Sequence, residues 1–186
     1  PELLDWLGPY LHDKGSAGFA LFDRSGLVLA TNHQPLIGSR VRAAAWGDLS
    51  DVFQGETRFR CPHQAGAWTS GPMEFLDGRP IAWVNTPVKT ASGNIIASLG
   101  FASYGDEDFA EILRVAQMGE SGETYAIDRD GLMVSESRFT DQLKEIGLLP
   151  NDPGARSMLA VKVRDPGSDL TRGHQPRYEL ETCPLT

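Results

Sequence analysis

The chain is poor in cysteine. Its 186 residues include only Cys61 and Cys183. Two thiols so far apart make neither a CxxC metal-binding spacing nor a dense disulfide framework. One long-range disulfide and two unpaired thiols stay open as alternatives, and cysteine usage does not settle the compartment. Long apolar runs are also lacking. None approaches the ~20 residues that cross a bilayer, and no basic-then-apolar leader is present. The chain opens abruptly at Pro1 and stops at Thr186 as an excised piece would, so flanking membrane segments are expected beyond its ends. Positive charge is scarce: 17 Lys and Arg stand against 25 Asp and Glu, for a net charge of −8. Such a chain repels phosphate backbones, which argues against nucleic acid as a partner. The carboxylates are scattered and read as a solvated surface, not an acidic tail.

Catalytic signatures are missing as well. There is no G-x-S-x-G elbow and no phosphate-cradling G-x-x-x-x-G-K. The glycines of Gly119-Glu-Ser-Gly read as a turn entering a strand. His12, His33, His63 and His174 form no H-x-x-x-H or H-E-x-x-H pair and read as surface or loop residues. Asp128 and Asp130 beside Gly131 begin like a calcium loop, but the remaining ligand spacing is missing, so a turn-forming pair is the reading. No catalytic residue, no metal site and no cofactor is expected.

What is present fits a soluble globular protein: 40% hydrophobic and 23% charged residues, in a length that allows one large domain or two small ones. A repeat organises it. Ala20-Leu-Phe-Asp-Arg-Ser-Gly-Leu-Val-Leu29 matches Tyr125-Ala-Ile-Asp-Arg-Asp-Gly-Leu-Met-Val134, with Asp23, Arg24, Gly26 and Leu27 recurring as Asp128, Arg129, Gly131 and Leu132. In each copy an apolar run enters a turn and another leaves it. Asp starts the turn by bonding its own backbone ahead, and Gly accepts the positive φ that closes it. Two β-hairpins of a duplicated module follow.

Around the first hairpin the periodicities predict a helix over 2–13, bent or interrupted near Gly8-Pro9. Strands are expected at about 17–23 and 27–31, a helix over 41–54 ending at Gly55, and a short strand over 57–61. Met73 to Leu76 leads to a turn at Asp77-Gly78, a strand over 81–88, a turn at 91–94 and a last strand over 95–103. Asp106 or Asp108 caps a connecting helix over 107–118. The second hairpin spans about 123–136, followed by a helix over 139–147 and a strand over 158–163. Helix, two strands, helices and three strands make an α+β fold, an antiparallel sheet with helices packed on one side. The expected organisation is 1–105 for the N-terminal helix and first module and 106–186 for the linker helix and a partial second one. That second copy is either truncated or built differently.

At this point the residues resemble a known family. Gly119-Glu-Ser-Gly-Glu-Thr-Tyr-Ala-Ile-Asp-Arg-Asp-Gly-Leu-Met-Val-Ser is similar to the start of the membrane-proximal module of double Cache domains. Asn85-Thr-Pro-Val-Lys-Thr-Ala-Ser-Gly-Asn-Ile-Ile-Ala-Ser-Leu-Gly resembles the closing strands of a membrane-distal module, and Trp68-Thr-Ser-Gly-Pro the element before them. The resemblance implies tandem PAS-like Cache modules outside the cytoplasmic membrane, between two transmembrane helices of a signalling receptor. It implies a small-molecule ligand, a possible homodimer, and a cytoplasmic output such as a histidine kinase, a cyclase, a protein kinase or phosphatase, or a chemotaxis signaller. The chain departs from amino-acid-binding Cache modules. Arg58-Phe-Arg60 has no following W-Y pair, and Leu99 to Tyr104 lacks the acidic residue that grips an amine.

PAS-like sheets leave a pocket between sheet and helices, apolar with a few convergent polar groups. Strand 81–88 alternates Ile81, Trp83, Asn85 and Pro87 against Ala82, Val84, Thr86 and Val88, and one of these faces must meet the core. Trp83 supplies a flat wall, Asn85 a hydrogen-bonding amide, and Trp68 a second wall. Arg58 or Arg60 can hold an anion by a bidentate contact. Phe101 completes the candidate ligand-binding set. Two other readings stay open: a ligand-free structural or dimerisation ectodomain, and a small α/β hydrolase.

Overall fold

The structure is a computed structural model. It describes residues 2–13, 16–42, 49–64, 78–114, 119, 122–165, 167–168, 172–175 and 177–179. The chain divides into two compact units, Pro1–Ile112 and Leu113–Thr186.

Unit 1 begins with α1, Glu2–Asp13, which runs on through Pro9 instead of stopping there. The proline ring costs the helix one hydrogen bond, to the carbonyl four residues back. Leu7 is buried and Trp6 exposed. The strands are β1 Gly18–Phe22, β2 Val28–Thr31, β3 Arg58–Gln64, β4 Pro80–Lys89 and β5 Ile95–Tyr104. They form one five-stranded sheet in the order β2-β1-β5-β4-β3. Every neighbouring pair is antiparallel. This is an α+β fold built on an antiparallel sheet, as the sequence led us to expect.

Each strand ends where its sequence demands it. Between β1 and β2, the Asp23 carboxylate accepts hydrogen bonds from the Ser25 N–H and hydroxyl at 2.7 Å and from the Leu27 N–H at 2.9 Å. Gly26 closes the turn at φ 74°. Burial works against the ionised carboxylate. The Ser25 hydroxyl, the Leu27 and Ser25 N–H groups and Arg40 outweigh it and hold the Asp23 pKa below its ordinary value. The stability Asp23 contributes is therefore present above its unfolded pKa of ~3.9 and is lost as pH falls through the lowered one. We expect Asp23→Ala to cost about 0.5–1.5 kcal/mol at neutral pH. Asp23→Asn, which keeps the acceptor, should cost less and flatten the acid limb of the stability curve. Thermal unfolding from about pH 6 down to about pH 3 checks this.

Residues directly opposite in adjacent strands share a face of the sheet. The inner face therefore carries Ala20 and Phe22 of β1, Ile81, Trp83, Asn85 and Pro87 of β4, and Ser98, Gly100, Ala102 and Tyr104 of β5. Ala20, Phe22, Ile81, Trp83 and Ala102 join Ala17, Val28, Leu36 and Leu49 in the core. Leu36 comes from a 3-10 turn, Gln34–Leu36. Leu49 and Val52, both fully buried, come from a helical turn over 49–52. That turn ends at Gly55, φ 109°, where the helix over 41–54 was expected to end; 43–48 and the 73–77 stretch lie outside the described residues. On the outer face Phe19 and Ala82 are buried, while Phe59 and Val84 stay 54% and 40% exposed.

The connecting segment differs from expectation. Gly105–Phe109 forms a π-helical turn leading into α2, Ala110–Arg114. The Asp106 carboxylate takes both nitrogens of the Arg79 fork, at 2.6 and 3.2 Å, and Glu107 takes a third bond at 2.7 Å. The same guanidinium lies 3.7 Å from the Tyr104 ring centroid. A bidentate, stacked arginine thus fastens the entry of β4 to the exit of β5.

Unit 2 rebuilds the first turn. Asp128 Oδ1 accepts from the Asp130 and Leu132 N–H groups, both at 2.9 Å, and Gly131 has φ 71°. The likeness extends past the hairpin. In unit 1 Leu27 bridges Arg40, the Val41 N–H donates to Gly26, and the Gly38 N–H donates to Val28 at φ 82°. In unit 2 Leu132 bridges Lys162, the Val163 N–H donates to Gly131, and the Leu159 N–H donates to Met133 at φ 60°. The strand expected over 158–163 is therefore corrected to a turn with one bridge, because Leu159 leaves the extended region. The helix expected over 139–147 is α3, Thr140–Glu145. Glu136 holds the loop after it, accepting from the Ser157 N–H at 2.8 Å and the Ser157 hydroxyl at 3.0 Å.

Candidate functional site

The inner face of β1, β4 and β5 is largely apolar around two buried polar side chains. Asn85 and Ser98 are both 0% exposed. Asn85 Oδ1 and Nδ2 and Ser98 Oγ have no hydrogen-bond partner among the described residues. Buried polar groups in folded proteins are paired in the great majority of cases, and each one left alone costs about 1–3 kcal/mol. Two such side chains next to each other on one face are where a ligand with its own donors and acceptors would be held.

The register explains the juxtaposition. Asn85 stands opposite Gly100, which stands opposite Ala20; Ser98 stands between Pro87 and Phe22. Glycine at 100 is required by space, not by backbone conformation. A Cβ there would collide with Asn85 Oδ1 and lie 3.0 Å from the Trp83 ring. Asn85 and Trp83 thus lean over the one strand position with no side chain. Trp83 meets Phe22 edge to face, with centroids 6.4 Å apart and planes at 63°, so the amide is bordered by aromatic surface.

The sequence candidates fall out differently. Trp83 and Asn85 come together on the inner face. Arg58 and Arg60 stand on β3 opposite Asn85 and Trp83, but β3 is an edge strand. The Arg58 guanidinium binds the Asp51 carboxylate at 2.8 Å, with both side chains well exposed. Arg60 is half-buried. Phe101 pairs with Val84 and Phe19 and so belongs to the outer face. Trp68 lies outside the described residues. Ser98 and Gly100 were not singled out from the sequence. A glycine in mid-strand signals a close approach, and it was the one available clue.

Elsewhere, Cys61 is an exposed free thiol on β3. Among the described residues no group of His, Cys, Asp or Glu is arranged to hold a metal ion, and no helix is long and apolar enough to cross a membrane. The Asp128 carboxylate is spent on its own turn.

No family model matches the chain, and no curated protein does. Among solved structures it is similar to the PAS domain of BvgS from Bordetella pertussis, at 14% identity over 62% of this chain and 94% of that one, TM-score 0.37. It is similar to the ligand-binding domain of the Pseudomonas fluorescens chemoreceptor CtaA, described in complex with L-serine, at 12% identity over 72% of this chain and 55% of that one, TM-score 0.40. A sensory box sensor histidine kinase from Vibrio cholerae follows at 9% identity over 55% and 90%, TM-score 0.32.

Proposed function

We propose that this chain is the small-molecule sensing domain of a transmembrane signalling receptor, of double Cache type, and that its ligand sits on the inner face of unit 1 against Trp83, Asn85 and Ser98. The observation that carries the reading is the pair of fully buried, unsatisfied polar side chains on the inner face. The extracytoplasmic location rests on the resemblance of Gly119 to Ser135 and of Asn85 to Gly100 to Cache sequences. On this reading the domain does no chemistry itself. A ligand that prefers one arrangement of the inner face shifts the population of arrangements. β4 and β5 can carry the shift: six residues separate Asn85 from Arg79, roughly 20 Å of strand, and at that end the Arg79–Asp106 fork holds the chain where it leaves the sheet.

The test is a thermal-shift screen of the whole chain against amino acids, organic acids, amines, nucleobases and sugars. A ligand at a hundred times its Kd adds about 2.7 kcal/mol to stability. A saturable hit that disappears in Asn85→Ala supports the sensing reading. A blank across the library favours a structural ectodomain. The location is checked in the full receptor by protease access to this domain from outside intact cells, and the homodimer by sedimentation.

A further inference from the structure

Resting on the reading that the inner face holds a ligand, we infer that the ligand is uncharged there and offers Asn85 an amide-like edge: an N–H donor beside a C=O acceptor, as in a lactam, a carboxamide or a nucleobase. Three observations meet. Asn85 is 0% exposed with both its acceptor Oδ1 and its donor Nδ2 unsatisfied. The group that satisfies both at once is another amide edge, donor to acceptor and acceptor to donor. Ser98 Oγ, two residues along β5 from the position opposite Asn85, adds one hydroxyl that donates or accepts.

The second observation is charge. On the inner row of β1, β4 and β5 the ionisable side chains are at the two ends: Tyr104, which lies against Arg79, and Lys89, which is exposed beyond Pro87. Arg58, across from Asn85, already faces Asp51, and Arg60 is likewise on the edge strand β3. An ion placed at Asn85 would lose its hydration with no buried countercharge, a cost of several kcal/mol. The third is shape. Phe22 and Trp83 border Ala20, Gly100 and Ala102, a floor of small residues beside aromatic rings that suits a flat or compact ring.

Isothermal titration and thermal shift on the whole chain test this with 2-piperidone, nicotinamide and uracil. N-methyl-2-piperidone serves as the shape control without an N–H, and succinate, L-serine and putrescine as charged controls. At least one N–H probe is expected to bind saturably, with its N-methylated counterpart weaker by about tenfold. Asn85→Ala and Asn85→Leu, each shown folded by its own cooperative transition, should lose binding by a similar factor, since one good buried hydrogen bond is worth about that. Equal binding of the N-methyl compound, or undiminished binding by either Asn85 variant, overturns the inference. Stabilisation by succinate, serine or putrescine and not by the amides overturns it too, while leaving the sensing reading intact. A response to none of the probes counts against both.

Discussion

Replacing Gly100 with valine is expected to leave unit 1 without a cooperative unfolding transition, and Gly100→Ala to cost about 1–3 kcal/mol, the usual range for overpacking. The reason is local. The added Cβ meets Asn85 Oδ1 and the Trp83 ring edge at once. Neither can retreat easily, because Asn85 is fully buried and Trp83 is set edge to face against Phe22. Valine's two further methyl groups enlarge the collision from a side-chain displacement to a rupture of the β1–β5–β4 register. Urea unfolding followed by tryptophan fluorescence gives the number. An alanine variant as stable as the parent would show that Asn85 and Trp83 slide aside freely and that the site is softer than its geometry indicates.

The opposite sign is expected one strand away. Asn85→Leu should raise the stability of the ligand-free chain by about 1–3 kcal/mol, while ending any response to ligand. A buried donor and acceptor without partners carry their full desolvation cost, and an apolar side chain of similar volume removes it. Stabilisation together with loss of function is the mark of a residue kept for binding, not for folding. The measurement is paired: denaturant midpoint without ligand, then the thermal shift with the best ligand of the screen. A marked loss of stability in Asn85→Leu would mean that ordered water satisfies the amide in the free protein. The side chain would then be structural.

Much of this architecture could be read in the sequence because alternation and turn chemistry were unambiguous. β4 and β5 are ten residues each and are joined by Thr90 to Asn94, where Gly93 takes φ 86°. The twin Asp-x-x-Gly turns were readable for the same reason: the side-chain bonds are made within four residues. What could not be read was register. Between Val88 and Lys89 the pairing slips, so that Val88 faces Ala97 but Lys89 faces Ile95. A slip of one residue exchanges the faces of a strand, and no local pattern announces it. The odd-numbered residues of β5 (Ile95, Ala97, Leu99 and Phe101) are the more apolar row, and Phe101 looked like lining. The structure turns Ala97, Leu99 and Phe101 outward and brings Ser98 and Gly100 inward instead. Arg58 and Arg60 stand on β3 opposite Asn85 and Trp83. Alternation gives a side chain's face, and only the strand order shows that β3 is an edge strand. Leu159 was missed because leucine gives no sign that it will stand at positive φ where unit 1 has Gly38.

The irregularity of β3 matters beyond the single molecule. As one of the two edge strands of the described sheet, β3 has one row of backbone groups that no other described strand uses, and such rows are templates for another chain. Pro62 removes one donor from the strand. The bulge between Arg60 and His63 offsets the remainder, and Arg58 and Arg60 put like charges on a would-be neighbour of identical sequence. Two copies brought side by side find no continuous ladder longer than a few residues, so crowding favours release over fibre growth. A proline inside an edge strand thus works against edge-to-edge association, where a regular edge would invite it.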